Sequence, residues 1–413
     1  MKEKKQTIKP GSFKFTRAEL LLIFALALFQ FAHIIDFMLL MPLGPMLMED
    51  FGINNQEFSY LVSSYTFSAA IVALLSATFI DRFHRKKALM FVFGGFLVGT
   101  FLCAVSNQYH LLLASRIVTG AFGGITNALI LSMVGDAFHY NKRGSAMGVI
   151  MAAFSAASVA GVPLSLLVAN RWGWNTPFYL LSFIGVSFII FAHYAIPTTK
   201  KVARAHPFKE ILTEKNHFVA FAIMFFVMFA GFTMFPFISN FLVFNVGLTQ
   251  AQIPLTYLSG GFFTLFTARI IGYLADRYGK KTVYYIIALI STIPIYLITQ
   301  LTTPNLWIVL TVTTTMFIFM SGRVIPVMAI ITSSAKPHLR GSFMTVNTSV
   351  QQLSAAIATM VGGIVIGNSS NGLIENYDKV ALISVAAALT SLFFVYKVRI
   401  ISDEGSGAPV QVK

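Results

Sequence analysis

A single cysteine, Cys103, occurs in 413 residues, so no disulfide can form within the chain, and the lone thiol in its apolar run reads as a packing residue. Charge is scarce too. Asp, Glu, Lys and Arg make up 11% of the chain, where a soluble domain carries roughly 25%. Acids are scarcest, with 15 Asp+Glu against 30 Lys+Arg. No Gly-x-x-x-x-Gly-Lys-Ser/Thr loop is present to cradle a nucleotide phosphate. The eight histidines are scattered without metal-ligand spacing, and no Ser/His/Asp arrangement can be argued. The expectation is therefore no enzyme, no metal and no cofactor. The net charge of +15 would raise nucleic-acid binding in a soluble protein. Here no basic patch carries interleaved aromatics, and nucleic acid is not expected as a partner.

What the chain has is apolar sequence, 56% of it, with 41 phenylalanines. About 20 apolar residues cross a bilayer. Twelve such spans are expected, near 18–43, 58–80, 88–106, 110–135, 145–169, 176–196, 217–245, 252–274, 282–300, 306–333, 342–367 and 379–397. The basic start followed by an apolar run resembles a signal peptide. The run is too long for one and no small-residue cleavage site follows, so it reads as an uncleaved first span. All Lys and Arg except Arg116, Arg171, Arg269, Arg323 and Lys379 lie in the tails or in alternate loops. The loops 44–57, 106–109, 246–251 and 301–305 have none. By the positive-inside rule both termini are expected in the cytoplasm, with the basic loops against anionic lipid.

The polar segment 197–216 divides the chain. The expected parts are a tail (1–17), a six-span bundle (18–196), a linker (197–216), a second six-span bundle (217–397) and a tail (398–413). The halves repeat: "IDRFHRKK" around Asp81-Arg82 matches "ADRYGKK" around Asp276-Arg277, and "KRGSAM" at Arg143-Gly144 matches "LRGSFM" at Arg340-Gly341. Two signals at nearly one offset indicate a duplication, and parallel six-span repeats are a transporter architecture.

Asp36 sits deep in span 1, in "FAHIIDFMLLMPLGP". A carboxylate at mid-membrane costs about 2.5–3.5 kcal/mol on insertion scales. At ~1.5 Å per residue, Asp36 lies roughly 12 Å from the non-basic end of span 1 and Arg116 roughly 9 Å from that end of span 4. No other carboxylate is placed well inside a span. Gln30, His33 and Asp36 follow at three-residue steps and share one helix face. His33 is of a type that titrates near neutral pH and can relay a proton, or it is a satisfied neutral histidine. Asn127 shares a face with Arg116. Further polar residues within spans are Asn240, Arg323, Asn347 and Gln351. Arg323 has no evident acidic partner; it can bind an anionic group of a substrate, cap carbonyls freed by Pro326, or meet Gln351. Arg269 lies nearer the basic end and reads as a snorkelling side chain. Span 7 is crowded with Phe and Met, which suits an apolar pocket or lipid contact; Phe232 and Phe235 are the expected lining.

"GYLADRYGKK" (Gly272–Lys281), "ATFIDRFHRKK" (Ala77–Lys87), "RIVTGAFGG" (Arg116–Gly124) and "AGVPLSLLVANRWGW" (Ala160–Trp174) together resemble the major facilitator superfamily, near its drug:proton antiporters. The first-half loop has Ala77 and His84 where that family has glycines. Val162 separates Gly161 from Pro163, a variant similar to its sugar-efflux-type exporters. The resemblance implies an all-α membrane protein, two pseudo-symmetric six-helix bundles around a central cavity, with spans 1 and 4 adjacent so that Asp36 and Arg116 pair. It also implies that Asp81 meets the start of span 11 and Asp276 the start of span 5 when the cytoplasmic side is shut. Arg82, Arg85, Asp136, Arg143, Arg277, Lys280 and Arg340 would complete that gate; the alternative is that these are solvated loop charges. Ser333 stands where Asp136 would map.

The expected function is secondary active transport by alternating access: proton-coupled efflux of small organic molecules, in a monomer of the bacterial inner membrane, driven by the proton gradient. The alternatives are an importer of a small metabolite, for which Arg323 favours an anion, and a membrane sensor without flux. Asp36 is the expected coupling group, because burial and a nearby guanidinium act on a carboxylate in opposite senses. A static ion pair is the other reading.

Overall fold

The computed structural model describes residues 15–76, 83–138, 140–197, 208–336, 339–368 and 373–401; within these, the side chains at 135, 136, 140, 141, 143, 144, 208, 209 and 368 are not described. Among the described residues, twelve helices are long and apolar enough to cross a membrane. They are span 1 (Arg17–Leu39), span 2 (Asn55–Ser76), span 3 (Arg85–Val105), span 4 (Tyr109–Val134), span 5 (Ser145–Trp172) and span 6 (Thr176–Ala195) in the first half. The second half has span 7 (Lys215–Phe244), span 8 (Gln250–Tyr278), span 9 (Lys280–Gln300), span 10 (Leu306–Ser333), span 11 (Arg340–Val365) and span 12 (Tyr377–Lys397). An even number of spans returns the chain to its starting side. That side is the tail end below, and the other the far end.

Local chemistry sets several boundaries that hydropathy misplaces. Span 1 stops at Leu39, four residues short of the expected end, because Pro42 disfavours helix at the residue before it and lacks an N–H. Leu40, Met41 and Leu43 are fully buried in the turn that follows, so their hydropathy reports packing rather than a span. A short helix, Gly44–Phe51, then runs along the far end. Span 2 begins three residues earlier than expected. Asn54 Oδ1 accepts from the Glu57 N–H at 2.9 Å while Glu57 Oε2 accepts from the Asn54 N–H at 2.9 Å, a reciprocal cap.

Three spans are broken. In span 5 a single π turn, Ala157–Gly161, precedes Pro163, whose missing N–H leaves the regular ladder incomplete. In span 7 a 3-10 turn at Phe235–Phe237 contains Pro236. In span 10 the helix pauses between Gly322 and Val324, with Pro326 just beyond. A two-stranded antiparallel hairpin pairs Gly367 with Glu375 at the far end.

The apolar core is arranged unequally along the bundle axis. At the far end one cluster draws on both halves, joining Leu39, Phe58 and Leu61 to Met234, Phe237 and Phe241. Toward the tail end the halves keep separate clusters, one around Leu26, Phe29 and Phe93, the other around Phe221, Met224 and Phe343. The halves are thus sealed together at the far end.

A buried ion pair and the family it belongs to

Asp36 and Arg116 meet. Arg116 Nη1 donates to Asp36 Oδ2 at 2.9 Å, with the side chains 1% and 0% exposed. Thr100 of span 3 donates to Asp36 Oδ1 at 3.0 Å and lies as close to the Phe96 carbonyl, so its one proton is shared between two acceptors. The ring of Tyr65, from span 2, lies beneath the guanidinium, 4.4 Å from Cζ to the ring centre, a cation–π contact. Four spans therefore hold one charge pair. Neither Tyr65 nor Thr100 is conspicuous in sequence, because uncharged hydroxyl residues are ordinary in apolar helices.

Glycine makes the approach possible. A Cβ on Gly120 would stand 2.2 Å from the Tyr65 carbonyl, and one on Gly123 2.5 Å from the Tyr65 hydroxyl. The face Arg116–Gly120–Gly123 thus lets span 2 close on span 4 and places Tyr65 under Arg116. His33 lies against the same surface, its Nε2 3.1 Å from where a Gly123 Cβ would be. Among the described residues the Gln30 carbonyl oxygen, both His33 nitrogens, the Tyr65 hydroxyl and Arg116 Nε are buried without a hydrogen-bond partner. The stripe Gln30–His33–Asp36 is buried on span 1, as its spacing implies.

The other residues divide by location. Phe37, beside Asp36, stacks obliquely on Tyr65 at 5.5 Å and on Phe232 of span 7 at 5.9 Å, a bridge from the ion pair to the second half. Phe235 packs within the second half against Tyr257 and Phe317. Asn240 lies at the far-end seam, where its amide donates to Asn55 Oδ1 at 3.1 Å across the halves. Gly44 permits this, since a Cβ there would fall 2.1 Å from Asn240 Oδ1. Asn127 and Gln351 are half-buried. Asn347 is fully buried with neither amide atom hydrogen-bonded among the described residues. Arg323 is 1% exposed, and its Nε and Nη1 have no acceptor there either. It neither caps carbonyls near Pro326 nor reaches Gln351.

A family model described as Major Facilitator Superfamily matches residues 26–399. The chain belongs to that superfamily. It is similar to the uncharacterized MFS-type transporter YceJ of Bacillus subtilis (strain 168), with 23% identity over 339 residues covering 79% of this chain and 85% of YceJ. Among solved structures it resembles the D-xylose-proton symporter, with a TM-score of 0.76, 14% identity, and 94% and 99% of the two chains covered. It also resembles a bacterial homologue of the human lysosomal transporter Spinster in an inward-facing and occupied conformation, with a TM-score of 0.72, 13% identity, and 93% and 97% covered. The chain is thus a multi-pass secondary transporter, and its family is one of transporters rather than enzymes.

Within this facilitator fold the charged motifs sit at the tail end. Asp276 and Arg277 are exposed, and Arg277 Nη1 donates to the Tyr273 hydroxyl at 3.1 Å. Lys280 is half-buried, as is Arg340, whose Nε donates to the Ala335 carbonyl at 3.3 Å. Arg85 is buried. Among the described residues, a Cβ on Gly148 of span 5, Gly272 of span 8 or Gly341 of span 11 would meet nothing within 4 Å. Asp81 and Arg82 lie outside the described residues, as do the side chains of Asp136 and Arg143.

Proposed function

We propose that this facilitator is a proton-coupled antiporter that exports small organic molecules across the bacterial inner membrane, with both termini cytoplasmic. The observation that carries the reading is the Asp36–Arg116 pair, in which Asp36 is the only buried carboxylate among the described residues. A secondary transporter coupled to protons needs a group that changes charge inside the bundle. The arrangement supplies one whose charged form is held by Arg116 and Thr100. Taking up a proton removes the charge that holds Arg116 and leaves the guanidinium to the Tyr65 face and the neighbouring Cys103, so the proton and the shape of the site change together.

In this reading the tail end is cytoplasmic, and the far-end seal belongs to the state that loads substrate from the cytoplasm while Asp36 is charged. Rocking then opens the far end. Asp36 gains a proton from outside, Arg116 is released, substrate leaves, and the proton returns to the cytoplasm with the next reversal. Asp276 and Arg277, with Arg340 and Lys280, belong to the gate that closes the tail end in the other state. His33, whose ring nitrogens have no hydrogen-bond partner among the described residues and whose ring centre is 6.2 Å from that of Tyr65, is the relay group in this reading. The test is flux in proteoliposomes under an imposed pH gradient. Asp36→Asn is expected to abolish gradient-driven flux while leaving downhill exchange; full gradient-driven flux in that variant overturns the proposal. The side whose acidification drives flux decides between export and import.

A further inference from the structure

Among the described residues the second half buries a cation that no carboxylate answers. Arg323 sits at the pause in span 10, 1% exposed, with Nε and Nη1 unsatisfied among the described residues. Leaving donors of a buried charged group unmatched is expensive, and a charge at membrane depth is retained for a use. The Tyr284 hydroxyl is committed elsewhere, bonded to Ser391. Opposite the guanidinium is Gly231 of span 7, where an added Cβ would stand 3.8 Å from Arg323 Nη2 and 3.6 Å from Met320 Cε. Span 10 meets span 7 here as span 4 meets span 1 in the first half, but a glycine occupies the side where the first half presents a carboxylate. Gly231 is half-exposed, and its neighbour Phe232 faces Phe37. Apolar surface therefore flanks the donors.

The geometry points to Arg323 as the binding group for the anionic end of the transported molecule, a small organic carboxylate or sulfonate with an apolar, aromatic-sized body lying toward Met320, Phe232 and Phe37. This rests on the chain being a transporter of small organic molecules and holds for either direction of flux. A guanidinium fork pairs best with a planar oxyanion, in two parallel hydrogen bonds. Arg323 lies ten residues from Ser333, ~15 Å from the tail end of span 10, deeper than a lipid headgroup sits. Counting Asp36, Arg116 and Arg323, the deep interior carries one uncompensated positive charge, which a monoanion cancels.

The experiment measures thermal unfolding of the purified protein in phosphatidylcholine nanodiscs with 1-naphthoate or with uncharged 1-naphthamide. Naphthoate is expected to raise Tm in a saturable manner and naphthamide to do so at least ~10-fold less well, the equivalent of one charge-assisted contact. Arg323→Gln should remove the naphthoate effect without lowering the Tm of the ligand-free protein, because it deletes an unpaired charge. Arg323→Lys should keep part of the effect, and Arg269→Gln, an exposed arginine on span 8, should keep all of it. Equal protection by acid and amide, no protection by either, or protection surviving in Arg323→Gln overturns the proposal. So does protection conferred by phosphatidylglycerol alone and lost in Arg323→Gln, which would make the occupant a lipid. Binding is read without a gradient, so this outcome is independent of the Asp36→Asn flux test.

Discussion

Each half of the molecule buries an arginine deep in a span, and the two are treated in opposite ways. Arg116 has a carboxylate, a supporting threonine and an aromatic face. Arg323 has a glycine and a methionine methyl. The halves derive from one repeated unit, so the difference is a division of labour laid over a symmetric frame. The first half closes its electrostatics internally and, on the function proposed above, opens them by taking a proton; the second, on the inference drawn from Arg323, has its electrostatics completed by the transported molecule.

The most damaging way to break this contrast is Arg116→Met. It strands Asp36 in the interior and should lower stability by about 3–5 kcal/mol, measured as thermal unfolding in detergent. Adding Asp36→Leu in the same chain should restore much of that loss, since an apolar replacement of both partners of a buried pair is often neutral. The reverse manoeuvre gives the second half what the first half has. Gly231→Asp has room for its Cβ and should pair with Arg323, raising stability by about 1.5–3 kcal/mol, the range for hydrogen bonds to charged groups. In an Arg323→Met background the same aspartate should lower Tm, and a rise there would show that the gain is not electrostatic.

A smaller effect separates the two buried asparagines of the second half. Asn240→Ala should cost about 1 kcal/mol because it leaves the Asn55 amide without its donor across the halves. Asn347→Leu removes a group that has no partner among the described residues and should leave ligand-free stability within about 0.5 kcal/mol. Comparable losses at both sites would mean that Asn347 is held in place like Asn240.

Much of this arrangement is readable from sequence, for identifiable reasons. Apolar runs with alternating basic loops give the twelve spans, because length and charge are what the bilayer constrains. Asp36 and Arg116 stand out because charge is rare inside spans, and depth counting plus the family resemblance brings them together. Tyr65, Thr100 and Phe37 were not legible, since each is a common residue in an apolar helix and acquires its part only from neighbours. Glycine spacing at Gly120 and Gly123 is the one trace of Tyr65, recording that something packs closely there. The stop at Leu39 was missed because a buried turn and a membrane span have the same hydropathy, and Asn240 gave no hint that its partner, Asn55, lies in the other half.

The far-end seam is made of Phe58, Phe237 and their apolar neighbours, with the Asn240–Asn55 amide pair, an Asn170 amide donating to the Gln250 carbonyl at 3.0 Å, and no ion pair among the described residues. The tail end carries Asp276, Arg277, Lys280 and Arg340. Apolar contacts weaken on cooling and are strengthened by excluded salts such as sulfate, whereas exposed charges are screened over about 8 Å at physiological ionic strength. The two faces of the same protein therefore answer to different variables. If the tail-end charges close the bundle as proposed above, cold loosens the far door, salt loosens the near one, and the resting bias of the transporter becomes a property of its solution as much as of its fold.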